Sequence, residues 1–334
     1  MRKLLLGTTA LAAAATLSAN AALADVSISA ATEWHYINHG SQDATLDGDK
    51  FSQDSEIAFK FSNKTDSGLT IGYTVELESD TGAGGAGLII DESSFTISGG
   101  FGSIMLGQND GVATSYAIEA EDATAEESAG SMASATIRTD TDIILDETDN
   151  NKIAYTLPAM GGFKAGISFE DSGAGSAAAN KADITAIGAS FTTEAAGSTV
   201  TIGAATVTKE QSGTTPDMDA QNIGVKIASG AATFYIAQSV NESDDEDITA
   251  QGFGASYVLG NGLTLAGYSM TAEDDLDAGE EYTSNSVEAS YAIASGLTAV
   301  LNVTNYDYKA GTDNDNSEAA DDGTITKLVI KASF

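Results

Sequence analysis

The 334-residue chain carries 49 acidic against 14 basic residues, a formal net charge of −35, and no cysteine. That balance disfavours nucleic acid as a partner, because phosphate backbones are bound through lysine and arginine. The missing cysteine excludes disulfides and thiol chemistry.

Arg2 and Lys3 precede an uncharged apolar stretch over 4–17, and Ala22, Leu23 and Ala24 supply a small-x-small cleavage site. The order is that of a secretory signal peptide, with an apolar core too short for a membrane span. Residues 1–24 are expected to be cleaved, and one domain to occupy 25–334. Beyond 24 no apolar run approaches the ~20 residues of a spanning helix. With 35 glycines, 2 prolines and a uniform Thr/Ser/Ala texture, the rest looks like one all-β unit.

Period-two apolar segments recur along it. "SEIAFKF" puts Ile57, Phe59 and Phe61 on one face and Glu56, Ala58 and Lys60 on the other. "FKAGISFE" opposes Phe163, Ala165, Ile167 and Phe169 to Lys164, Gly166, Ser168 and Glu170. "SVEASYAI" opposes Val287, Ala289, Tyr291 and Ile293 to Glu288, Ser290 and Ala292. In chain order the predicted strands are 26–36, 55–62, 69–78, 93–99, 103–108, 151–158, 163–170, 183–193, 198–208, 221–228, 231–240, 248–259, 262–271, 283–293, 296–308 and 324–334.

The connections alternate in length. The short ones, such as "PAMGG", "GNG" and Ser229 with Gly230, carry the glycine and asparagine of tight hairpins. Between them lie long ones: 37–54, 79–92, 109–150, 171–182, 209–220, 241–247, 272–282 and 309–323. Strict alternation means that one end of the sheet is trimmed and the other elaborated. A transmembrane β-barrel has this asymmetry, with short periplasmic turns and long extracellular loops; a soluble sandwich has no physical reason for it. The acids sort the same way, since the short turns carry only Lys64, Asp66 and Glu194 as charged residues. The last segment, "KLVIKASF", sets Leu328, Ile330, Ala332 and Phe334 on an apolar face and needs a partner, which "VSISAATEWHY" supplies if the barrel closes. A barrel of sixteen strands encloses water.

With its signal segment, "GGFGSIMLGQNDG" leading into the longest loop, its sixteen strands and its terminal Phe334, the chain resembles the general diffusion porins of the bacterial outer membrane, most closely the alphaproteobacterial type. The resemblance covers everything after the signal segment. It implies a homotrimer among outer-membrane lipids, and passive diffusion of small hydrophilic solutes and ions. It also implies a long third loop, 109–150, folded into the lumen. Phe334 would be the assembly signal read by the barrel-assembly machinery.

On that reading Asp110, Glu119, Glu121, Asp122, Glu126, Glu127 and Arg138 belong to the constriction loop. Related porins face such acids with wall arginines, whereas Arg138 is the single arginine beyond the signal segment and lies in the loop. Lysines must take the place of those arginines. Lys60, Lys152, Lys164, Lys226, Lys327 and Lys331 fall on the polar register and are expected to line the lumen. The acid excess leads to an expected cation preference.

Other signals carry less. "DNDNSEAADDG" over 313–323 breaks the spacing of a calcium loop. No cofactor is expected, beyond weak neutralisation of the acidic loops by Ca2+ or another divalent cation. "GAGGAG" over 82–87 opens no helix and cradles no phosphate. His35 and His39 lack a third ligand for zinc. Nothing resembles a hydrolase triad, so no enzyme is expected. Trp34, Tyr36, Tyr73, Tyr257 and Tyr306 are assigned to the interfacial girdle. Two other functions compete with the diffusion channel. One is a substrate-selective outer-membrane channel, which needs an aromatic track that the polar registers seldom offer. The other is an acidic secreted surface-layer β-protein.

Overall fold

A computed structural model describes residues 25–41, 47–79, 89–126, 150–171, 182–211, 216–244, 246–311 and 320–334. The signal segment, the glycine-rich 82–87, Glu127, Arg138 and most of 313–323 lie outside the described residues.

The chain forms sixteen antiparallel strands: β1 (Asp25–Ser41), β2 (Gly48–Lys64), β3 (Thr70–Glu78), β4 (Ile89–Gly99), β5 (Gly102–Gln108), β6 (Asn151–Thr156), β7 (Phe163–Asp171), β8 (Ala182–Ala195), β9 (Ser198–Gln211), β10 (Met218–Ser229), β11 (Ala232–Ser243), β12 (Asp247–Leu259), β13 (Leu263–Asp274), β14 (Glu281–Ala294), β15 (Leu297–Lys309) and β16 (Asp321–Ser333). Each pairs with its sequence neighbours, and β1 pairs with β16 to close the barrel. All sixteen predicted strands are present, including the short β4 and β5; β1 and β2 run five and seven residues into the connection expected over 37–54.

Closure follows from the last strand. Ile330 stands opposite Trp34 and Leu328 opposite Tyr36. The Phe334 N–H donates to the Ala30 carbonyl at 2.8 Å, and the Ala30 N–H donates back to Phe334 at 3.2 Å. No strand edge is left to solvent or lipid, the condition for a sheet in a bilayer.

The two faces differ as the period of two demands. On β7, Ile167 and Phe169 point outward and are exposed, while Ser168 and Glu170 point inward and are buried. The register shifts only in the β3–β4 and β14–β15 pairings, among the strand pairs described. Neither shift touches a strand carrying one of the six candidate lysines, so parity alone fixes their side of the wall. The wall is not of even height. β5 and β6 have 7 and 6 residues, against 12 to 14 for β10 and β14. The low section lies where the longest connection leaves the sheet and returns to it. Single glycines make the tight ends: Gly102 opens β5 at φ +106°, beside the Thr156 carbonyl, where a Cβ has no room.

Candidate constriction of the lumen

After β5 the chain turns inward. Residues 109–126 run along the inner wall, with a short helix, α1 (Val112–Tyr116), and a 3-10 turn at Glu121–Ala123. α1 packs on β7, β8 and β9, and the 3-10 turn packs on β11, β12 and β13. This segment is the only described part of the connection 109–150 apart from Asn150, and it lies against the inner wall from β7 round to β14, β16 and β1.

Its seat is a groove of bare backbone. Gly166, Gly188, Gly203, Gly224, Gly252 and Gly254 all fall on the inward register of β7 to β12. A Cβ on Gly188 would lie 2.6 Å from the Tyr116 ring and 2.9 Å from the Val112 carbonyl. On Gly203 it would meet the Tyr116 carbonyl, on Gly224 the Ile118 carbonyl and on Gly254 the Ala120 carbonyl. The missing side chains let the segment sink until Val112, Ala113, Ile118 and Ala120 are buried. Removing one Val or Ile side chain from water stabilises the seat by about 1.5–3 kcal/mol. Polar groups of the wall fix its position. The Val112 N–H donates to Ser168 Oγ at 3.1 Å. Asn222 treats Ile118 as a strand partner, accepting its N–H at 3.3 Å and donating Nδ2 to its carbonyl at 3.2 Å.

The far end is held by charge. Glu288 on β14 accepts the N–H groups of Ala125 and Glu126 at 2.9 and 3.0 Å, one on each carboxylate oxygen. Asn302 Nδ2 supports that carboxylate at 3.2 Å. Lys331 Nζ on β16 lies 2.6 Å from Glu126 Oε1, donates to the Ala125 carbonyl at 2.8 Å, and stands 3.4 Å from Glu33 on β1. His35 is 3.5 Å from Glu33 and 4.0 Å from Glu126. One peptide is thus gripped from both sides, by an anion at its N–H groups and a cation at its carbonyl.

The expected site residues separate into two groups. Asp122 is exposed to the lumen, whereas Glu119, Glu121 and Glu126 are buried in the seat, and Asp110 is half-buried at the start of the segment. All six lysines take the inward register, and Lys331 meets a carboxylate of the segment, that of Glu126. Lys60 lies 3.8 Å from Glu76 on β3. Lys152 and Glu170 form a buried pair at 3.4 Å, each side chain 2% exposed. Lys327 is buried on β16, Lys226 lies 5.2 Å from the Tyr235 ring centroid, and Lys164 is exposed with no ion pair among the described residues. The wall contacts that the sequence alone does not single out are Ser168, Asn222, Glu288 and the six glycines. Their common signal is parity: each alternates with an outward residue such as Ile167, Ile223, Val287 or Ile202.

The aromatic assignments need correction. Trp34, Tyr73 and Tyr257 do sit exposed on the outer face, Trp34 stacks on Phe51, and Tyr36 lies tilted against the same ring. Tyr306 does not belong with them. It shares the inward register of Asn302 and Thr304, is 4% exposed, accepts from His39 Nε2 at 2.7 Å and donates to Asp321 at 2.6 Å. Counting by two from Asn302 places it inside; position at a strand end does not decide the face. Tyr268, Tyr282 and Tyr308 are also inward, so the polar registers hold more aromatics than expected from the sequence. All four tyrosines are buried and packed into one cluster, so none of them offers an open stacking face.

A family model for Gram-negative porins matches residues 7–318. No curated protein gives a match. Among solved structures, the anion-selective porin of Comamonas acidovorans aligns at 16% identity with a TM-score of 0.66, over 93% of this chain and all of its own. An engineered variant of the Rh. blastica porin aligns at 17% with a TM-score of 0.67, over 92% and 100%. A loop-deleted outer membrane protein of Vibrio cholerae aligns at 10% with a TM-score of 0.69, over 93% and 99%. At such identities the likeness is one of fold.

Proposed function

The chain belongs to the Gram-negative porin family and is an outer-membrane barrel, and from that premise we propose a water-filled channel for passive diffusion of small hydrophilic solutes, preferring cations. The observation that carries this reading is the segment 109–126, which lies inside the closed sixteen-stranded barrel against its inner wall. Burial of Tyr268, Tyr282, Tyr306 and Tyr308 speaks against a substrate-selective aromatic track.

Cation preference rests on charge. The chain holds 49 acids against 14 bases, and the exposed described acid of the segment is Asp122. Two of the inward lysines, Lys152 and Lys331, are already engaged by Glu170, Glu33 and Glu126. A negative lumen with low-dielectric walls concentrates cations. The Comamonas porin is named anion-selective, and at 16% identity its charge pattern does not transfer. We assign residues 1–24 as the export signal, a homotrimer as the assembled form and Phe334 as the residue offered to the barrel-assembly machinery. The reversal potential across a salt gradient in a planar bilayer tests the function. A cation-side value is expected; an anion-side value refutes the preference, and failure to form channels refutes the reading as a whole.

A further inference from the structure

Inward lysines occur at both ends of the barrel: Lys50, Lys152 and Lys209 lie on the inward register near the long-loop ends of β2, β6 and β9, and Lys60, Lys164 and Lys226 lie near short-turn ends. Lys60 stands four residues before the end of β2, Lys164 is the second residue of β7, and Lys226 lies three residues before the end of β10. All three strand ends are short-turn ends. Two of these lysines can be placed against the constriction directly. Lys164 is one inward step turnward of Gly166, which touches Val112, and Lys226 is one inward step turnward of Gly224, which touches Ile118. They therefore stand immediately below the segment, on its short-turn side. Both are exposed, as is Lys60, whose side chain is 52% accessible.

At the long-loop end acids far outnumber Lys50, Lys152 and Lys209. The connections 241–247 and 272–282 alone contain eleven acids and no base. The short-turn end holds Asp25, Asp66 and Glu194 against Lys60, Lys64, Lys164 and Lys226; Glu194 is engaged by the Thr199 hydroxyl at 2.6 Å, and Lys331 is matched by Glu33 directly opposite it on β1. The constriction thus separates an acidic outer mouth from a lysine-bearing inner mouth.

From this placement we infer that the channel rectifies: it passes more current when the long-loop side is positive than when it is negative. The inference rests on the channel reading above. Fixed carboxylates at one mouth enrich cations there, and fixed ammonium groups at the other enrich anions. A voltage positive on the long-loop side drives cations in through the acidic mouth and anions in through the lysine mouth. Both carriers accumulate at the constriction. The reverse voltage pulls each carrier back to the mouth where it is enriched and depletes the space between. The effect needs a screening length comparable with the lumen. It is therefore present near 0.1 M salt, where that length is about 10 Å, and lost near 1 M, where it is about 3 Å.

Single-channel current–voltage curves in symmetric KCl test it. The chain has no cysteine, so Asp275→Cys with an impermeant thiol reagent added to one chamber assigns orientation in a parallel preparation. At about 0.1 M the current with the long-loop side positive should exceed the reverse current by roughly 1.5-fold or more, falling to near parity at about 1 M. Replacing Lys164→Glu and Lys226→Glu together makes both mouths acidic and should abolish the asymmetry; the Lys164→Gln, Lys226→Gln pair should reduce it in part. Symmetric wild-type curves at low salt, or wild-type rectification persisting in the Glu pair, overturn the inference while leaving the channel reading intact. Absence of channels in the wild type strikes the channel reading itself.

Discussion

Lys331 Nζ lies 2.6 Å from the Glu126 carboxylate, bringing the last strand of the barrel onto the far end of the inward segment. The same ammonium donates to the Ala125 carbonyl, while Glu288 holds the N–H groups of Ala125 and Glu126. Hydrogen bonds to charged partners contribute about 1.5–3 kcal/mol each. Lys331→Met removes the cationic jaw and leaves Glu33 and Glu126 facing each other. We expect open-channel noise and sub-conductance transitions to increase several-fold in single-channel records. Lys331→Arg, which keeps charge and donors, should restore quiet channels. If Lys331→Met is as quiet as the wild type, the clip does not hold the segment.

The glycine groove makes a second test independent of charge. Gly224→Leu sets a side chain against the Ile118 carbonyl, and Gly203→Leu sets one against that of Tyr116. Backbone on both sides has nowhere to go, so the segment must lift from the wall. Conductance should change by tens of per cent while the barrel still migrates as a folded, heat-modifiable species. Leucine at Gly260, a turn position where a Cβ meets nothing within 4 Å, is the matched control and should leave conductance unchanged.

The barrel itself is legible in the sequence because lipid outside and water inside impose opposite demands on alternate residues. Ile167 beside Ser168 or Val287 beside Glu288 declares a side without reference to anything distant. Paired loops of unequal length declare the two ends. The seat of the segment is not legible, although its parts obey the same alternation. Gly188 and Asn222 read as small or polar lumen residues, and nothing local says that a chain from another part of the sequence lies on them. Tyr306 shows the converse error: its aromatic type suggests the lipid interface, while its parity with Asn302 puts it inside.

The pair Lys152–Glu170 should matter for stability rather than for conduction. Both side chains are 2% exposed and 3.4 Å apart, with Asn150 donating to the second carboxylate oxygen at 2.8 Å. Removing one partner leaves a buried charge without its counter-ion, which costs about 3–5 kcal/mol. Lys152→Met should lower the temperature at which the folded band is lost on gels, and adding Glu170→Met should recover part of that loss. An unchanged transition in Lys152→Met means that water reaches the pair.

Phe334 closes the barrel through its backbone and presents its ring outward, 71% exposed. Deleting it takes away both hydrogen bonds to Ala30, whereas Phe334→Asp keeps them and places charge on the apolar face. A role in closure alone predicts that only the deletion harms folding. A role as an assembly signal predicts that both variants reduce folded protein in outer-membrane fractions. We expect both to do so, with Phe334→Tyr near wild type; normal yield from Phe334→Asp removes the signal assignment.

Selectivity provides the last test, and burial decides how it should be divided. Glu119, Glu121 and Glu126 are less than 6% exposed, and Glu126 is paired with Lys331, whereas Asp122, which also accepts the Glu119 N–H at 3.1 Å, is exposed. A permeating ion meets an exposed carboxylate at contact distance but is kept from the buried ones by protein. Asp122→Asn should therefore move the reversal potential toward zero in a tenfold KCl gradient, without changing the noise. Glu126→Gln should do the opposite, raising noise by loosening the clip while moving selectivity little. Neutralising Glu242, Asp244, Glu246 and Asp247 together samples the outer mouth, where bulk water and salt screen each charge. Their combined shift should stay smaller than that of Asp122→Asn at about 1 M, where the Debye length is near 3 Å. Equal shifts from the two sets would mean that selectivity arises from general surface charge and that Asp122 does not stand in the narrow zone.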